Sequence, residues 1–274
     1  MQILLTNDDG IYAPGLDAMR RELEKLGDVC VVAPTVEQSG VGHSITFLTP
    51  LMAKEAYSYY GPEENRIGWS VDGSPADCVK LALAQFCPKT PDLVVSGING
   101  GLNVGINVLY SGTVAAATEA AMYELPSIAV SLEYEEHPRF ARAAELARSV
   151  IEVLLKRNAW DEHKLYNLNI STSATLESAG KTTPAPHLRL ARMNTSRWPA
   201  DFEERRDPKN RRYFWAAGVL PDPEINEDSD LAGIRAGEMT LTPLTIDRTC
   251  DKQLARMREW EDSGFGSRDS GFGD

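Results

Sequence analysis

The sequence of 274 residues contains little cysteine and no long apolar run. Its four cysteines are scattered without CxxC or CxxxC spacing, so we expect neither a zinc site nor a disulfide framework. No apolar stretch approaches the roughly 20 residues that cross a bilayer, so no membrane association is expected. The first residues enter a strand pattern directly, without the basic segment of a signal peptide. Together, these features favour a reducing, cytoplasmic location.

Positive charge is also scarce: 28 Lys and Arg face 40 Asp and Glu, a formal net charge of −12. Because nucleic-acid affinity depends on Lys and Arg that neutralise phosphates, no stable nucleic-acid binding is expected. Residues 181–212 reverse the balance locally, with nine basic against four acidic residues. A solvated arm or an oligomer contact is favoured there over attraction of a substrate.

Three common nucleotide and hydrolase motifs are missing. The chain has no P-loop and no G-x-S-x-G nucleophile elbow. Gly40 and Gly42 are followed by Ile45 where the dinucleotide fingerprint requires its third glycine. These absences argue against P-loop hydrolysis, α/β-hydrolase chemistry and NAD binding.

Short apolar strands alternate with amphipathic helices along most of the chain. The patterns predict strands at 3–6, 29–33, 93–95, 126–130, 168–170 and 239–242, and helices at 14–26, 75–86, 114–123, 141–156 and 230–236. Residues 52–66 are polar and aromatic and are predicted to leave the core. Repeated β-α-β units with buried strands indicate an α/β protein with a parallel, doubly wound sheet.

Three polar segments follow the predicted strands, at 7–10, 39–44 and 96–101. Ligands of doubly wound sheets bind at the carboxyl ends of strands, so these segments are expected to converge. Asp8 and Asp9 repel each other unless a cation lies beside them. Carboxylate, hydroxyl and amide oxygens suit Mg²⁺ or Mn²⁺, and Ser39 and Asn99 are the natural neutral partners. In the alternative interpretation, one aspartate caps the next helix while the other faces solvent.

The glycine-rich segment 96–113 ends in Ser111-Gly112-Thr113, immediately before a predicted helix. Glycine permits close backbone approach, and a helix N-terminus offers free N–H groups to an anion such as phosphate. No Lys or Arg lies between Lys89 and Arg139, so positive charge would have to come from a metal or a distant side chain. A long surface loop that uses its glycines only for turns is the alternative. His43 could donate a proton or contact substrate, or it could be structural.

Several motifs occur in the order of one known family. They are 4–15 (LLTNDDGIYAPG), 39–40 (SG), 44–46 (SIT), 73–79 (GSPADCV), 94–99 (VVSGIN), 110–116 (YSGTVAA) and 242–244 (TPL). Over roughly residues 1–250 the chain thereby resembles the SurE survival-protein family, which are metal-dependent nucleoside monophosphate phosphatases. Ser74 stands where threonine is commoner in that family, and residues 181–225 match weakly.

The resemblance implies a Rossmann-like, three-layer α/β/α core over about residues 1–180. It implies a β-hairpin arm and an exchanged C-terminal segment over about 181–250, and a homodimer or homotetramer. Residues 251–274 would form a helix remnant and a flexible Gly/Ser/Phe tail. One Mg²⁺ or Mn²⁺ per subunit would be held by Asp8, Asp9, Ser39 and Asn99. Asn103, Ser111, Gly112 and Thr113 would border the phosphate site.

The implied reaction is hydrolysis of nucleoside 5′- and 3′-monophosphates, with short polyphosphate as a further substrate. Asp8 or Asp9 would orient or deprotonate the attacking water. A receiver-like signalling module is one alternative, but its phospho-accepting aspartate is replaced here by Ser96-Gly97 after the third strand. A dehalogenase-type phosphatase would require D-x-D rather than adjacent aspartates. A nucleotide-binding protein that holds a divalent metal without turnover is the remaining alternative.

Overall fold

The computed structural model describes residues 1–58, 65–176, 186–196, 202–216 and 225–260. The chain divides into two compact units, Met1–Leu244 and Thr245–Asp274. The first unit contains β1 (Gln2–Thr6), α1 (Pro14–Leu23), β2 (Asp28–Pro34), β3 (Ala53–Tyr57), β4 (Arg66–Val71), α2 (Pro75–Leu81), β5 (Leu93–Gly100), α3 (Gly112–Met122), β6 (Ser127–Leu132), α4 (Phe140–Lys156), β7 (Leu165–Ile170), β8 (Leu188–Leu190), β9 (Phe202–Arg206), β10 (Arg212–Ala216), α5 (Asp230–Arg235) and β11 (Met239–Pro243). The second contains α6 (Asp251–Trp260). In the described ranges no helix is long and apolar enough to cross a membrane.

In the described part of the chain, nine strands form one sheet in the order β3-β4-β2-β1-β5-β6-β7-β11-β8. The six strands from β4 to β7 in this order are parallel to their neighbours. At the two ends of the parallel block, β3 and β11 pair antiparallel with β4 and β7. The predicted parallel α/β sheet is confirmed, and antiparallel strands border it on both sides.

Alternate residues of the central strands bury their side chains on opposite faces of the sheet. Ile3 and Leu5 pack in one cluster with residues of α1 and α4, whereas Leu4 packs in a second cluster with residues of α2 and α3. All three side chains are fully buried. A strand buried on both faces reads as a continuous apolar run, which explains why β1 was recognisable from sequence. The result is a three-layer arrangement of helices, sheet and helices.

Local sequence signals account for the helix starts. Pro14 and Pro75 occupy the first turns of α1 and α2, where a missing backbone N–H removes no helical hydrogen bond. Ser74 caps α2 by accepting from the Asp77 N–H at 3.1 Å, and Ser111 caps α3 in the same way. The predicted cap at Ser229 is also present. These predictions from sequence are confirmed.

The prediction that residues 52–66 leave the core is wrong for most of that stretch. Ala53–Tyr57 and Arg66–Val71 form β3 and β4, which extend the central sheet beyond β2. The sequence pattern was obscure because β3 lies at the edge and exposes four of its five residues. Gly68 allows β4 to pack closely on its neighbour, since a Cβ there would lie 2.1 Å from the Val31 carbonyl oxygen.

A separate two-stranded sheet lies within the predicted arm. In this sheet β9 pairs antiparallel with β10, from Arg212 opposite Arg206 to Ala216 opposite Phe202. The predicted hairpin is therefore present. The predicted exchange of segments between subunits stays a prediction. The Gly/Ser/Phe tail lies beyond 260, outside the described residues.

Candidate metal and phosphate site

The loops that follow β1, β2 and β5 meet at the carboxyl edge of the sheet. The Asp8 carbonyl accepts a hydrogen bond from the Gln38 N–H at 2.7 Å, which joins the first loop to the second. The Asp9 carboxylate accepts from the Gly100 N–H at 3.2 Å, which joins the first loop to the end of β5. The structure thus brings together the three polar segments singled out in the sequence.

Asp8 is held against the N-terminus of α3. Its side chain accepts from the Thr113 N–H at 3.1 Å and from the Thr113 hydroxyl at 2.5 Å. Gly112 makes this approach possible, because a Cβ there would lie 2.9 Å from the Asp8 Cβ. Burial nevertheless dominates: it raises the pKa of Asp8 above its ordinary value despite the two bonds from Thr113.

Asp9 lies beside Asp8 and is less enclosed. Burial raises the pKa of Asp9 to about 6, and the negative charges of Asp8 and Glu37 act in the same direction. Only the Gly100 N–H opposes them. No basic side chain of the described residues contributes to the pKa of either aspartate. Two adjacent, largely desolvated carboxylates without a cationic partner are the electrostatic setting that a bound cation would relieve.

Ser39 and Asn99 supply neutral oxygens on the adjoining loops. Ser39 is exposed, and its hydroxyl donates to the Glu37 carboxylate at 2.5 Å. The Asn99 Nδ2 donates to the Gly101 carbonyl at 2.7 Å, which leaves Oδ1 as the acceptor of that amide. Carboxylate, hydroxyl and amide oxygens form the donor set that Mg²⁺ and Mn²⁺ take.

The chemistry of this donor set fits a divalent cation. No group of three or more His, Cys, Asp or Glu arranged for a metal occurs in the described ranges. Such a group would be expected for zinc or for an acidic calcium cage, whereas the predicted set contains only two acidic residues. Asp8, Asp9, Ser39 and Asn99 could therefore hold Mg²⁺ or Mn²⁺.

The first turn of α3 uses most of its free N–H groups internally. Thr113 donates its N–H to Asp8, and the Val114 N–H bonds to the Ser111 hydroxyl at 3.1 Å. Gly112 keeps an N–H with no bond to another described residue, at the point where α3 contacts Asp8. Of the predicted phosphate segment, Gly112 is thus the backbone donor that remains for an anion.

The structure places the other two predicted substrate contacts in side-chain networks. The Asn103 Nδ2 donates to the Ser131 hydroxyl at 2.8 Å, and its carbonyl accepts from Asn167 and Asn169 on β7. His43 Nε2 lies 2.7 Å from a carboxylate oxygen of Glu119 on α3. Both side chains support the walls of the site in this structure, and their contact with substrate stays a prediction.

Two acidic residues near the site were not recognised from sequence. Glu37 lies close enough to raise the pKa of both Asp8 and Asp9. Glu119 is buried and bonds His43 and Lys80. A signal for Glu119 was present, since it is the one charged residue in the otherwise apolar and small sequence of α3. Glu37 carried no such signal, because an acidic residue in a polar loop is ordinary.

Comparisons with known proteins agree with this site and fold. Residues 3–199 match the model of the family described as Survival protein SurE. A protein named 5′-nucleotidase SurE from Rhodopirellula baltica is 49% identical over 261 residues, which cover 95% of this chain and 98% of that protein. A 5′-nucleotidase SurE from Desulforudis audaxviator is 41% identical over 263 residues, 95% of this chain and 97% of that protein.

A solved structure is also similar. The crystal structure of the SurE protein from Aquifex aeolicus superimposes with a TM-score of 0.77 at 32% identity, covering 96% of this chain and all of that one. The family match extends over both loops that carry Asp8, Asp9, Ser39 and Asn99 and over the start of α3. On these grounds, the chain belongs to the SurE family.

Proposed function

We propose that this protein is a metal-dependent 5′-nucleotidase that hydrolyses nucleoside monophosphates to nucleoside and phosphate. The observation that carries the proposal is the Asp8–Asp9 pair, which is buried at the carboxyl edge of the sheet without a basic partner among the described residues. Relatives named 5′-nucleotidase SurE over nearly the whole chain support the same activity. Nucleoside 3′-monophosphates and short polyphosphate are proposed as further substrates.

Asp8, Asp9, Ser39 and Asn99 would hold the divalent cation. When bound, such a cation offsets the charge of the phosphoryl group and makes a water more acidic. Asp8 is fixed by Thr113 through both carboxylate oxygens and serves as a rigid ligand.

Asp9 has one described hydrogen bond, from the Gly100 N–H, so its other oxygen can orient the attacking water or accept its proton. The Gly112 N–H, at the positive end of α3, would bind a phosphoryl oxygen. Its position next to Asp8 places anion and cation sites side by side. Phosphate release therefore needs no lysine or arginine in the segment between Lys89 and Arg139.

Phosphate release from a panel of nucleoside 5′- and 3′-monophosphates and polyphosphate tests the proposal. Activity should disappear with excess chelator and return with Mg²⁺ or Mn²⁺. The Asp8→Asn variant should lose most of both turnover and metal affinity while its far-ultraviolet circular dichroism stays unchanged. A folded wild-type protein that releases no phosphate with either metal would contradict the proposal and favour a binding protein without turnover.

The family resemblance also leads us to propose assembly into a homodimer or homotetramer and a cytoplasmic location. Sedimentation at several protein concentrations distinguishes two subunits from four. A sedimentation coefficient of a monomer at every concentration would contradict the proposed assembly.

A further inference from the structure

The loop that carries Ser39 has no regular secondary structure. Residues 35–52, called here the Ser39 loop, connect β2 to β3 through turns only. Gly40 and Gly42 adopt positive φ angles of 72° and 58°, which side chains rarely allow. The position of Ser39 at the candidate metal site therefore depends on what holds this loop from outside.

Apolar packing does not hold the far half of the Ser39 loop. Ile45, Phe47 and Leu48 are 51%, 84% and 91% exposed. A loop that buries little apolar surface gains little from the hydrophobic effect and must be ordered by polar contacts. In this loop those contacts come mainly from α2 and α3.

The strongest contact is a clamp between Asp77 on α2 and Thr46 in the loop. Thr46 donates its N–H to both carboxylate oxygens of Asp77, at 2.9 and 3.1 Å, and its hydroxyl to one of them at 2.7 Å. Asp77 is 2% exposed. Burial favours the neutral acid, but the hydrogen bonds from Thr46 and Ser74 outweigh it and lower the pKa of Asp77.

The same clamp accounts for a motif that the proposed chemistry does not use. Within the segment GSPAD at 73–77, Asp77 also accepts from the Ser74 N–H at 2.9 Å and completes a capping box. The Ser74 hydroxyl donates in turn to the Ser44 carbonyl at 2.7 Å. The start of α2 thus binds the loop at two points two residues apart.

Contacts on the near side of the clamp connect it to Ser39. The Gly42 N–H donates to the Tyr110 carbonyl at 2.9 Å, and His43 pairs with Glu119. The Gln38 N–H bonds the Asp8 carbonyl. Ser39 is therefore suspended between a contact with the β1 loop and a series of contacts with α2 and α3.

We propose that Asp77 is a positioning residue for the metal site: its clamp on Thr46 holds the Ser39 loop so that the Ser39 hydroxyl stays within reach of the cation. This inference rests on the proposed function for its metal site. It assigns no contact between Asp77 and metal or substrate. A loosened clamp should weaken metal binding more than it weakens the fold.

Thr46→Val tests the clamp, because it removes one hydroxyl and keeps the shape of the side chain. Thr46→Ser restores that hydroxyl. Thr172→Val is a matched control: Thr172 also donates its N–H and its hydroxyl to one carboxylate, Glu133, at 2.8 and 2.9 Å. Asp77→Ala removes the whole clamp. Each full-length variant is titrated with Mn²⁺, followed by electron paramagnetic resonance of free Mn²⁺, and melted without metal.

Thr46→Val should raise the Kd for Mn²⁺ about threefold, and Asp77→Ala at least about tenfold. Thr46→Ser and Thr172→Val should bind Mn²⁺ like the wild type. Thr46→Val and Thr172→Val should shift the melting temperature by similar small amounts, so that only the metal affinity separates them. At saturating Mn²⁺, the turnover of Thr46→Val should return to within about twofold of the wild type.

Unchanged Mn²⁺ affinity in Thr46→Val and Asp77→Ala would overturn the inference, and so would an equal loss of affinity in Thr172→Val. If Asp77→Ala does not fold, Thr46→Val and its serine counterpart decide alone. Weakened Mn²⁺ binding in a protein that releases no phosphate would support the clamp while contradicting the proposed function. A wild-type chain that binds no Mn²⁺ would overturn both.

Discussion

On the hairpin of β9 and β10, each acidic residue has an arginine partner, whereas Asp8 and Asp9 have no basic partner among the described residues. Glu203 binds Arg205 at 2.8 Å, and Asp207 binds Arg211 at 2.8 Å. The pKa of Glu203 is lowered by its hydrogen bond from Arg205. At the carboxyl edge of the sheet, burial raises the pKa of Asp9 to about 6.

The difference shows how one residue type takes two roles within a chain. The hairpin is exposed, so its ion pairs are screened by water and contribute little to the fold. The site is largely buried, so an unbalanced carboxylate there is unfavourable for the fold and favourable for binding a cation. A carboxylate pair that the chain itself does not neutralise is thus the more informative feature.

Asp9→Asn should have the largest effect on this comparison. Asparagine can still accept from the Gly100 N–H, but it no longer offers a charged ligand. Nucleotidase turnover at fixed Mg²⁺ should fall about a thousandfold, because several kcal/mol of charge stabilisation depend on the cation. The measurement is phosphate release with and without metal.

The metal-free melting temperature separates this variant from simple damage. Because Asp9 is repelled by Asp8 and Glu37, removal of its charge should not lower the melting temperature of the metal-free protein. A large drop in melting temperature together with the lost activity would mean that Asp9 serves the fold rather than the cation.

Gly112→Ala should disturb the site through packing, with a smaller effect. The new Cβ would lie 2.9 Å from the Asp8 Cβ and 3.0 Å from the Pro75 Cγ. Relief of these contacts should cost about 1–3 kcal/mol of unfolding free energy and displace Asp8. Urea unfolding measures the first effect, and Mn²⁺ titration measures the second.

Gly101→Ala is the matched control for this overpacking, since its Cβ would meet the nearest atom, the Asn99 Nδ2, at an ordinary 3.7 Å. Its unfolding free energy should stay within about 0.5 kcal/mol of the wild type. If Gly112→Ala is as stable as Gly101→Ala and binds Mn²⁺ normally, close approach of α3 to Asp8 is not what requires glycine at 112.

The comparison also explains which parts of the fold could be predicted from sequence. β1 and β5 were recognisable because strands buried on both faces are continuously apolar. β3 was missed because its exposed residues, such as Lys54 and Glu55, hide the pattern of an edge strand. The helix predicted to stop at Gly27 ends at Leu23, and Gly27 instead allows close packing on Met1, where a Cβ would lie 2.0 Å from the carbonyl oxygen.

For the site, sequence reasoning reached the loops but not the contacts between them. Asp8 and Asp9 could be singled out because adjacent carboxylates after a buried strand are unusual. Thr113 was predicted to bind phosphate, yet in the structure it bonds Asp8. The pairing of Thr46 with Asp77, 31 residues apart, has no local signature. Such long-range hydrogen bonds depend on how α2 packs, which periodicity does not specify.

Glu22→Gln sharpens the comparison with a carboxylate that is buried but neutralised. Glu22 accepts from Lys25 at 2.5 Å and from Arg148 at 2.8 Å, between α1 and α4. Burial acts to raise its pKa, but the bonds from Lys25 and Arg148 outweigh burial and lower it. The variant should lose about 1 kcal/mol of unfolding free energy at neutral pH and keep its nucleotidase activity.

The sign of the pH dependence follows from the lowered pKa of Glu22. The folded protein favours the ionised acid, so the contribution is present above the ordinary pKa and is lost as the pH falls through the folded value. Urea unfolding of wild type and variant should therefore differ at neutral pH and converge on acidification. A difference that grows as the pH falls would contradict this account.

Glu203→Gln should have the smallest effect, because it removes one partner of an exposed pair on the hairpin. The Glu203 side chain is 55% exposed, and water solvates both it and Arg205 once the pair is broken. The melting temperature should change by no more than about 1 °C, and it should respond to added salt as the wild type does. Nucleotidase activity should be unchanged, since no described hydrogen bond connects Glu203 to the site. A marked loss of activity in this variant would mean that the hairpin contributes to the site, for example by contact between subunits, and that its ion pairs are not confined to the surface of one chain.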